Sequence, residues 1–196
     1  MSKFGLRKLG FGILLFGMAV CCYTASPVKA AETDVPIDNK TFPDATFLKY
    51  VGRFDKSGDG RLSESERNAV KEIVVNVDPF SSQTKITSLA GIEYFPNLTV
   101  LECESNSLAG LDVTKNKKLQ ELNCDKNNLQ SLDVSQNTKL EGLHVYNTQV
   151  TALDLSNMTN LTTLACYNNN LTSLNISGDT ALKTLSCYQN RLTSLD

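Results

Sequence analysis

Six residues within a twelve-residue stretch place oxygen atoms at the spacing that a hard cation requires. They are Asp55, Ser57, Asp59, Arg61, Ser63 and Glu66. Arg61 would contribute its backbone carbonyl and Glu66 both carboxylate oxygens, while Gly60 allows the sharp turn of the loop. About seven oxygens in this arrangement suit calcium, so the stretch predicts a calcium site. A metal-free turn of the same shape is the alternative.

Two helical patterns flank this loop. Before it, Asp44 is a candidate N-cap, and the apolar residues Phe47, Leu48, Val51 and Phe54 share one helical face. After it, Ser63 and Glu66 form a capping-box pair, and Ala69, Val70, Ile73 and Val74 supply the apolar face of a second helix. A loop between two helices is the context of an EF-hand, so residues 41–77 are predicted to be a helical, EF-hand-like cap. A single hand with three carboxylates predicts weak, structural calcium binding, with a dissociation constant on the order of 10⁻⁴ to 10⁻³ M.

The single histidine, His144, is the other candidate for chemistry. Asp125, Glu141 and Tyr146 lie near it in the predicted structure, but no recognisable motif places a Ser or Cys nucleophile beside it. No cleft with paired carboxylates is evident either. An enzyme is therefore the less favoured class.

The elements that must position these residues come from a 21-residue repeat. Five units run in phase from Leu98, with leucines at positions 98, 119, 140, 161 and 182 and again three residues later. A short strand is predicted in each unit, with leucine and cysteine pointing inward and the residues between them pointing outward. Stacked units form a parallel sheet and bury their leucines against one another. The segment from Ile86 to Leu98 is predicted to be a longer first repeat.

Polar and cysteine columns recur at fixed positions of the repeat. The asparagine column, occupied by Asn106, Asn127, Thr148, Asn169 and Asn190, lies in the bend after the strand, where an amide can bond backbone groups that the turn leaves unpaired. Asp112, Asp133 and Asp154 have the same structural interpretation at a second corner. The cysteine column contains Cys103, Cys124, Cys166 and Cys187, with Val145 in the third unit. Because valine replaces cysteine only as a small buried hydrophobe, reduced core cysteines are predicted. Pairing of the neighbours Cys103 and Cys124, or of Cys166 and Cys187, is the alternative.

The outward residues of the strands define a candidate ligand-binding face. One column runs Glu104, Asp125, Tyr146, Tyr167 and Tyr188, and the neighbouring column includes His144. Exposed tyrosines about 5 Å apart offer flat, amphipathic area to a protein or glycan ligand. The alternative is that tyrosine is present as a favoured strand residue that stacks on its repeat neighbours.

The repeat resembles that of leucine-rich-repeat proteins. The unit L-x-x-L-x-C-x-x-N-x-L-x-x-L-D-V-S, over about Ile86 to Asp196, is similar to the short repeats of bacterial surface proteins of the internalin kind. The resemblance implies an α/β solenoid, a right-handed leucine-rich-repeat coil with short parallel strands, preceded by capping helices. The cap, residues 41–77, is expected to cover the first row of leucines, and residues 78–196 to form the solenoid, incomplete at its C-terminus.

The first 30 residues have the layout of a secretory signal. Lys3, Arg7 and Lys8 precede an apolar run, and Val28 to Ala31 offers small residues for cleavage after Ala30. The string from Phe4 to Lys8 resembles the YSIRK-type signal of Gram-positive surface proteins. Residues 31–40 are predicted to be a linker, and no transmembrane anchor is predicted because the apolar run is short.

The charge of the chain without this segment points away from nucleic acid. Four of its 19 basic residues and none of its 21 acidic residues lie in 1–30, so residues 31–196 have a formal charge of −6. An acidic balance is unsuited to binding DNA or anionic lipid through bulk electrostatics. We expect a monomeric, secreted or cell-surface protein that mediates protein or glycan interaction, including adhesion. A structural spacer that presents a further C-terminal domain is the alternative function.

Overall fold

The computed structural model describes residues 33–156 and 158–195, so the predicted signal segment lies outside the described residues. In chain order, the elements are β1 (Val35–Pro36), α1 (Ala45–Val51), β2 (Arg61–Leu62), α2 (Glu64–Ala69), β3 (Glu72–Val74), β4 (Val100–Glu102), β5 (Glu121–Asn123), β6 (Gly142–His144), β7 (Ala152–Asp154), β8 (Thr163–Ala165), β9 (Ser173–Asn175) and β10 (Thr184–Ser186). Short 3₁₀ turns occupy Gly52–Phe54 and Ile92–Tyr94. None of the helices in the described ranges is long and apolar enough to cross a membrane.

The first helix forms as its sequence predicts. The Asp44 carboxylate accepts hydrogen bonds from the N–H groups of Thr46 and Phe47, which satisfies two donors that the first turn leaves free. Phe47 and Val51 are fully buried on the inner face of α1. The predicted linker also contributes to this region, because its strand β1 pairs antiparallel with β2, which lies in the acidic loop of residues 55–66.

The second helix is shorter than predicted, and the interpretation of its C-terminal half was wrong. The capping box of Ser63 and Glu66 is present, but α2 ends at Ala69 and buries no residue. Ile73 and Val74 belong to β3 rather than to the helix. A run of β-branched residues favours the extended backbone, and pairing with β4 buries Ile73 completely.

The five repeats and the preceding strand β3 build a six-stranded parallel sheet in the order β10-β8-β6-β5-β4-β3. Register follows the repeat, since Leu101 pairs with Leu122, Leu122 with Leu143, and Leu143 with Leu164. The predicted solenoid with short parallel strands is therefore confirmed. β3 precedes the first repeat and pairs with β4, so that Ile73 lies beside Leu101 and both side chains are fully buried.

A second, smaller row of strands runs along another corner of each coil. β7 pairs in parallel with β9, and Asp112 and Asp133 form an isolated parallel β-bridge. The aspartates predicted to be structural bond the backbone two residues ahead: Asp112 accepts from the N–H of Thr114, and Asp154 accepts from that of Ser156.

An aromatic cluster joins the cap to the first repeat. The Phe42 ring lies 6.0 Å from Phe47 and 6.5 Å from Phe95, while the Phe54 ring lies 5.6 Å from Phe95, all measured between centroids. Gly91 has φ of +99°, and a Cβ there would come within 2.3 Å of the Phe42 ring. Position 91 therefore requires glycine both for its backbone conformation and for the close approach.

The asparagine column bonds backbone groups of the bend, as predicted, and it also bonds those of the preceding coil. The Asn127 amide donates to the carbonyls of Cys103 and Cys124 at 3.0 Å each, and its oxygen accepts from the N–H of Leu108 at 3.0 Å. Asn106, Asn169 and Asn190 repeat this pattern. Each amide thus connects the coil before it with its own.

A second asparagine column was missed at the sequence level. Asn116 donates to the carbonyls of Ile92 and Phe95, and Asn137 to those of Val113 and Asn116, and both side chains are fully buried. The signal was present, because the two asparagines are 21 residues apart, but Met158 and Asp179 occupy the next two positions of that column.

Candidate functional site

The acidic loop, residues 55–66, uses the carboxylates of its predicted calcium ligands as hydrogen-bond acceptors. One oxygen of Glu66 accepts from the N–H groups of Lys56 and Ser57 at 2.7 and 3.0 Å. The other accepts from the N–H and hydroxyl of Ser63, both at 2.8 Å. The loss of solvation tends to raise the Glu66 pKa, but these donors outweigh it and lower the pKa to about 2.

The other loop carboxylates are engaged in the same way. Asp55 accepts from the N–H groups of Gly58 and Gly60 at 2.6 and 2.9 Å, and Asp59 accepts from that of Arg61 at 2.9 Å. Throughout the described ranges, no group of three or more His, Cys, Asp or Glu side chains is arranged to hold a metal ion. To chelate calcium through both oxygens, Glu66 would have to exchange donors among its four hydrogen bonds for the ion. Calcium binding stays a prediction.

The strand face carries the predicted aromatic column as a continuous stack. The rings of Tyr146 and Tyr167 have centroids 4.3 Å apart, those of Tyr167 and Tyr188 are 4.6 Å apart, and both pairs are within 9° of parallel. Because each ring covers its neighbour, the stack presents ring edges and hydroxyls rather than ring faces. Tyr188, which is 59 % exposed, ends the stack.

A charged pair lies at the other end of the stack, and sequence reasoning missed its cation. The Lys126 ammonium bonds the Glu104 carboxylate at 2.7 Å and lies 5.7 Å from the centroid of the Tyr146 ring, within cation–π range. Lys126 adopts a left-handed backbone with φ of +53°, as do the residues at the same position of the other repeats. The 21-residue period identifies this position in each repeat, but it does not predict the left-handed backbone there.

Asp125 departs from its predicted role as an exposed contact residue. It is only 1 % exposed, and its carboxylate accepts from the N–H of Tyr146 at 2.6 Å. Burial raises the Asp125 pKa to about 7, with a further contribution from the neighbouring charge of Glu104. Asp125 therefore supports the backbone beneath the tyrosine stack rather than meeting a ligand.

The neighbouring columns place His144 at the centre of the face. It is half-buried on β6, between Asn123 of β5 and Ala165 of β8. The Glu121 carboxylate lies over Gly142, where an added Cβ would come within 2.0 Å of its oxygen, and burial raises the Glu121 pKa. The face is thus acidic beside β4 and β5, and uncharged and aromatic towards β10.

The cysteine column consists of free thiols, as predicted. Cys103, Cys124 and Cys166 are fully buried, whereas Cys187 is half-buried. Burial raises the pKa of Cys166 to about 12 and that of Cys103 still further. These thiols pack as small hydrophobes and do not form a reactive site.

Comparison with known proteins places this geometry among bacterial leucine-rich-repeat structures. No protein-family model matches the chain, and neither does any curated protein sequence. Among solved structures, the functional domain of InlJ from Listeria monocytogenes, described as including a cysteine ladder, is 33 % identical with a TM-score of 0.74, over 86 % of this chain and 36 % of that one. The internalin InlF from the same organism is 25 % identical with a TM-score of 0.70, over 84 % of this chain and 48 % of that one.

A more distant neighbour shares the fold alone. The leucine-rich-repeat protein LIC12759 of Leptospira interrogans is 24 % identical with a TM-score of 0.52, over 69 % of this chain and 42 % of that one. The chain spans about a third to a half of the length of all three structures. With its 21-residue coils and its asparagine and cysteine columns, the chain has a leucine-rich-repeat fold similar to those of the two internalins.

Proposed function

We propose that the chain is an exported interaction protein whose strand face binds a protein or glycan partner in adhesion. The observation that carries the proposal is the stack of Tyr146, Tyr167 and Tyr188, which lines up phenol edges and hydroxyls along an otherwise regular sheet. Tyrosine offers large contact area together with a hydrogen-bonding group at little entropic cost. The similarity to internalins supports a binding role rather than catalysis.

The proposed location rests on the N-terminal sequence. Its basic residues, apolar run and small residues before Ala31 have the order of an export signal, and the resemblance of Phe4 to Lys8 to the YSIRK type favours a Gram-positive cell surface. The binding face is acidic near the cap and uncharged towards β10, so partners with a polyanionic surface, such as nucleic acid, are disfavoured.

The test is binding of the labelled chain to arrays of purified glycans and of extracellular protein domains. We expect at least one ligand, and we expect replacement of all three stacked tyrosines by serine to weaken its binding by tenfold or more. The matched control replaces Gln130, Thr151 and Thr193 by serine, because these exposed, uncharged residues lie outside the strand face. Circular dichroism confirms that both triple variants stay folded.

Two outcomes contradict the proposal. Ligand binding that both variants retain equally would place the site elsewhere on the chain. The absence of any ligand on either array would favour the alternative function, a spacer that presents another domain.

For the acidic loop we propose a structural role, with calcium as its ligand. The support is the sequence spacing of Asp55, Asp59 and Glu66, in a loop that leaves the turn after α1 and ends inside α2. A bound ion would act on stability, by about 1.4 kcal/mol at ten times its dissociation constant. The unfolding temperature in 5 mM calcium chloride is expected to exceed that in EGTA, and equal temperatures would exclude the site.

A further inference from the structure

The cap leaves one edge of the main sheet open. The N–H groups of Val75 and Val77 donate to the carbonyls of Glu102 and Glu104 at 2.8 and 3.0 Å, so both point towards β4. Because backbone groups alternate in direction along a strand, those of Val74 and Asn76 point the opposite way. The Val74 N–H is taken by the hydroxyl of Tyr50 at 3.0 Å. In the described part of the chain, the backbone N–H of Asn76 has no hydrogen-bond acceptor.

This free edge lies in a groove of about 880 Å³ between α1 and the segment that leads into the first repeat. One wall consists of Thr46, Lys49, Tyr50 and Arg53, and the other includes Gln83 and Thr84. The groove is therefore a trough with backbone donors and acceptors at its base. A trough of this kind suits an extended chain better than a compact ligand.

The charge of the groove is one-sided. Lys49 and Arg53 are both exposed, and the Arg53 guanidinium stacks over the Tyr50 ring at 4.7 Å. Neither cation makes an ion pair within the described ranges, and none of the groove residues is acidic. The chain as a whole has more acidic than basic residues, so this local excess of positive charge favours binding of an acidic partner.

Apolar exposure is also concentrated beside this edge. Val74, in the groove, is 39 % exposed, and Phe80, in the adjoining 78–85 segment, is 97 % exposed. They are two of the four large hydrophobic side chains that are exposed among the described residues. Exposed apolar side chains beside unpaired strand edges are features of sites that add a strand from a partner.

We propose that this groove binds an extended, acidic segment of a partner protein, which pairs as an added strand with the backbone of Asn76 at the open edge of the sheet. The backbone of Asn76 supplies hydrogen bonds, and Lys49 and Arg53 contact acidic side chains of the segment. This site is separate from the tyrosine face and takes a different ligand. The competing explanation is that the two cations only keep the edge from pairing with a second copy of the chain.

The test selects random twelve-residue peptides displayed on phage against the chain. Each selected peptide is then synthesised and its affinity measured by isothermal titration calorimetry. The test variant carries Lys49→Glu and Arg53→Glu, and the matched control carries Lys139→Glu and Lys183→Glu, which make the same change of net charge at exposed positions outside the groove. Amide chemical-shift changes map where each peptide binds.

We expect selected peptides to be rich in Asp and Glu, to bind the test variant at least tenfold more weakly, and to bind the control variant within twofold of the original chain. We also expect the largest shift changes at residues 74–77 and 83–86. The proposal is overturned if no peptide is selected, if affinity is equal for both variants, or if the shifts lie elsewhere. A dimer of the chain alone that the Lys49 and Arg53 changes strengthen would support the guarding explanation instead.

Discussion

Replacing Asn127 by alanine removes the amide that joins two successive coils of the solenoid. Its nitrogen donates to the carbonyls of Cys103, Cys124 and Asp125, and its oxygen accepts from the N–H of Leu108. The side chain is 4 % exposed, so water cannot replace it. A net hydrogen bond contributes about 1 kcal/mol, and a buried donor left without a partner costs about 1–3 kcal/mol. The expected loss of stability is therefore about 4 kcal/mol.

The assay is thermal and urea unfolding followed by circular dichroism. A loss of about 4 kcal/mol corresponds to a fall of roughly 8–16 °C in the unfolding temperature for a chain of this size. Asn127→Thr should lose about half as much, because Thr148 occupies the same column and its hydroxyl keeps bonds to Val145 and Asn169. Asn128→Ala, at an exposed neighbour, is the control and should change stability by less than about 0.5 kcal/mol. If Asn127→Ala is as stable as Asn128→Ala, the asparagine column does not hold the coils together.

Three further perturbations test other parts of the structure. Glu66→Gln should lower stability by about 1–2 kcal/mol in EGTA, because the carboxylate accepts hydrogen bonds from the N–H groups of Lys56 and Ser63. Destabilisation that is seen only with calcium would contradict this expectation. Because the Asp125 pKa is raised to about 7 in the folded protein, ionised Asp125 opposes folding. Lowering the pH from 8 to 5 should therefore stabilise the chain relative to Asp125→Asn. A difference in unfolding free energy between the two proteins that does not change with pH would refute the buried carboxyl. Iodoacetamide should label Cys187 in the native protein, and Cys103, Cys124 and Cys166 only after unfolding. Mass spectrometry would detect the labels. Absence of free thiols in the unfolded, unreduced chain would indicate disulfides.

The repeat part of the fold was predictable because its period is strict. A leucine every 21 residues determines which neighbours pair, and the β4 to β10 registers follow from that spacing. The asparagine column was predictable for a similar reason, since an amide in a bend has few other uses. A pattern that recurs in five repeats identifies a strand more reliably than the same pattern in a single element.

The cap shows where local pattern was insufficient. Ile73 and Val74 fit a helical face after Ala69 as well as they fit a strand, and only pairing with β4 decides between the two. The loop carboxylates match calcium spacing, but their hydrogen bonds to the loop backbone depend on the folded geometry.

The position of the tyrosine-bearing strand face was predictable, but its electrostatics were not. The column of Tyr146, Tyr167 and Tyr188 is visible in the sequence, and its stacking follows from the spacing of the strands. The burial of Asp125, and the contacts of Lys126 with Glu104 and Tyr146, depend on a left-handed turn that no glycine marks. Non-glycine residues in that conformation are uncommon, so sequence alone gives little warning of them.

We propose that ligands bind to the tyrosine-bearing face of the main sheet. Cross-saturation NMR, with transfer from a bound array ligand to the amides of the deuterated chain, locates the bound surface. We predict the strongest transfer at residues 144–146, 165–167 and 186–188. Transfer confined to the second row of strands, at residues 152–154 and 173–175, would show that the ligand binds another face.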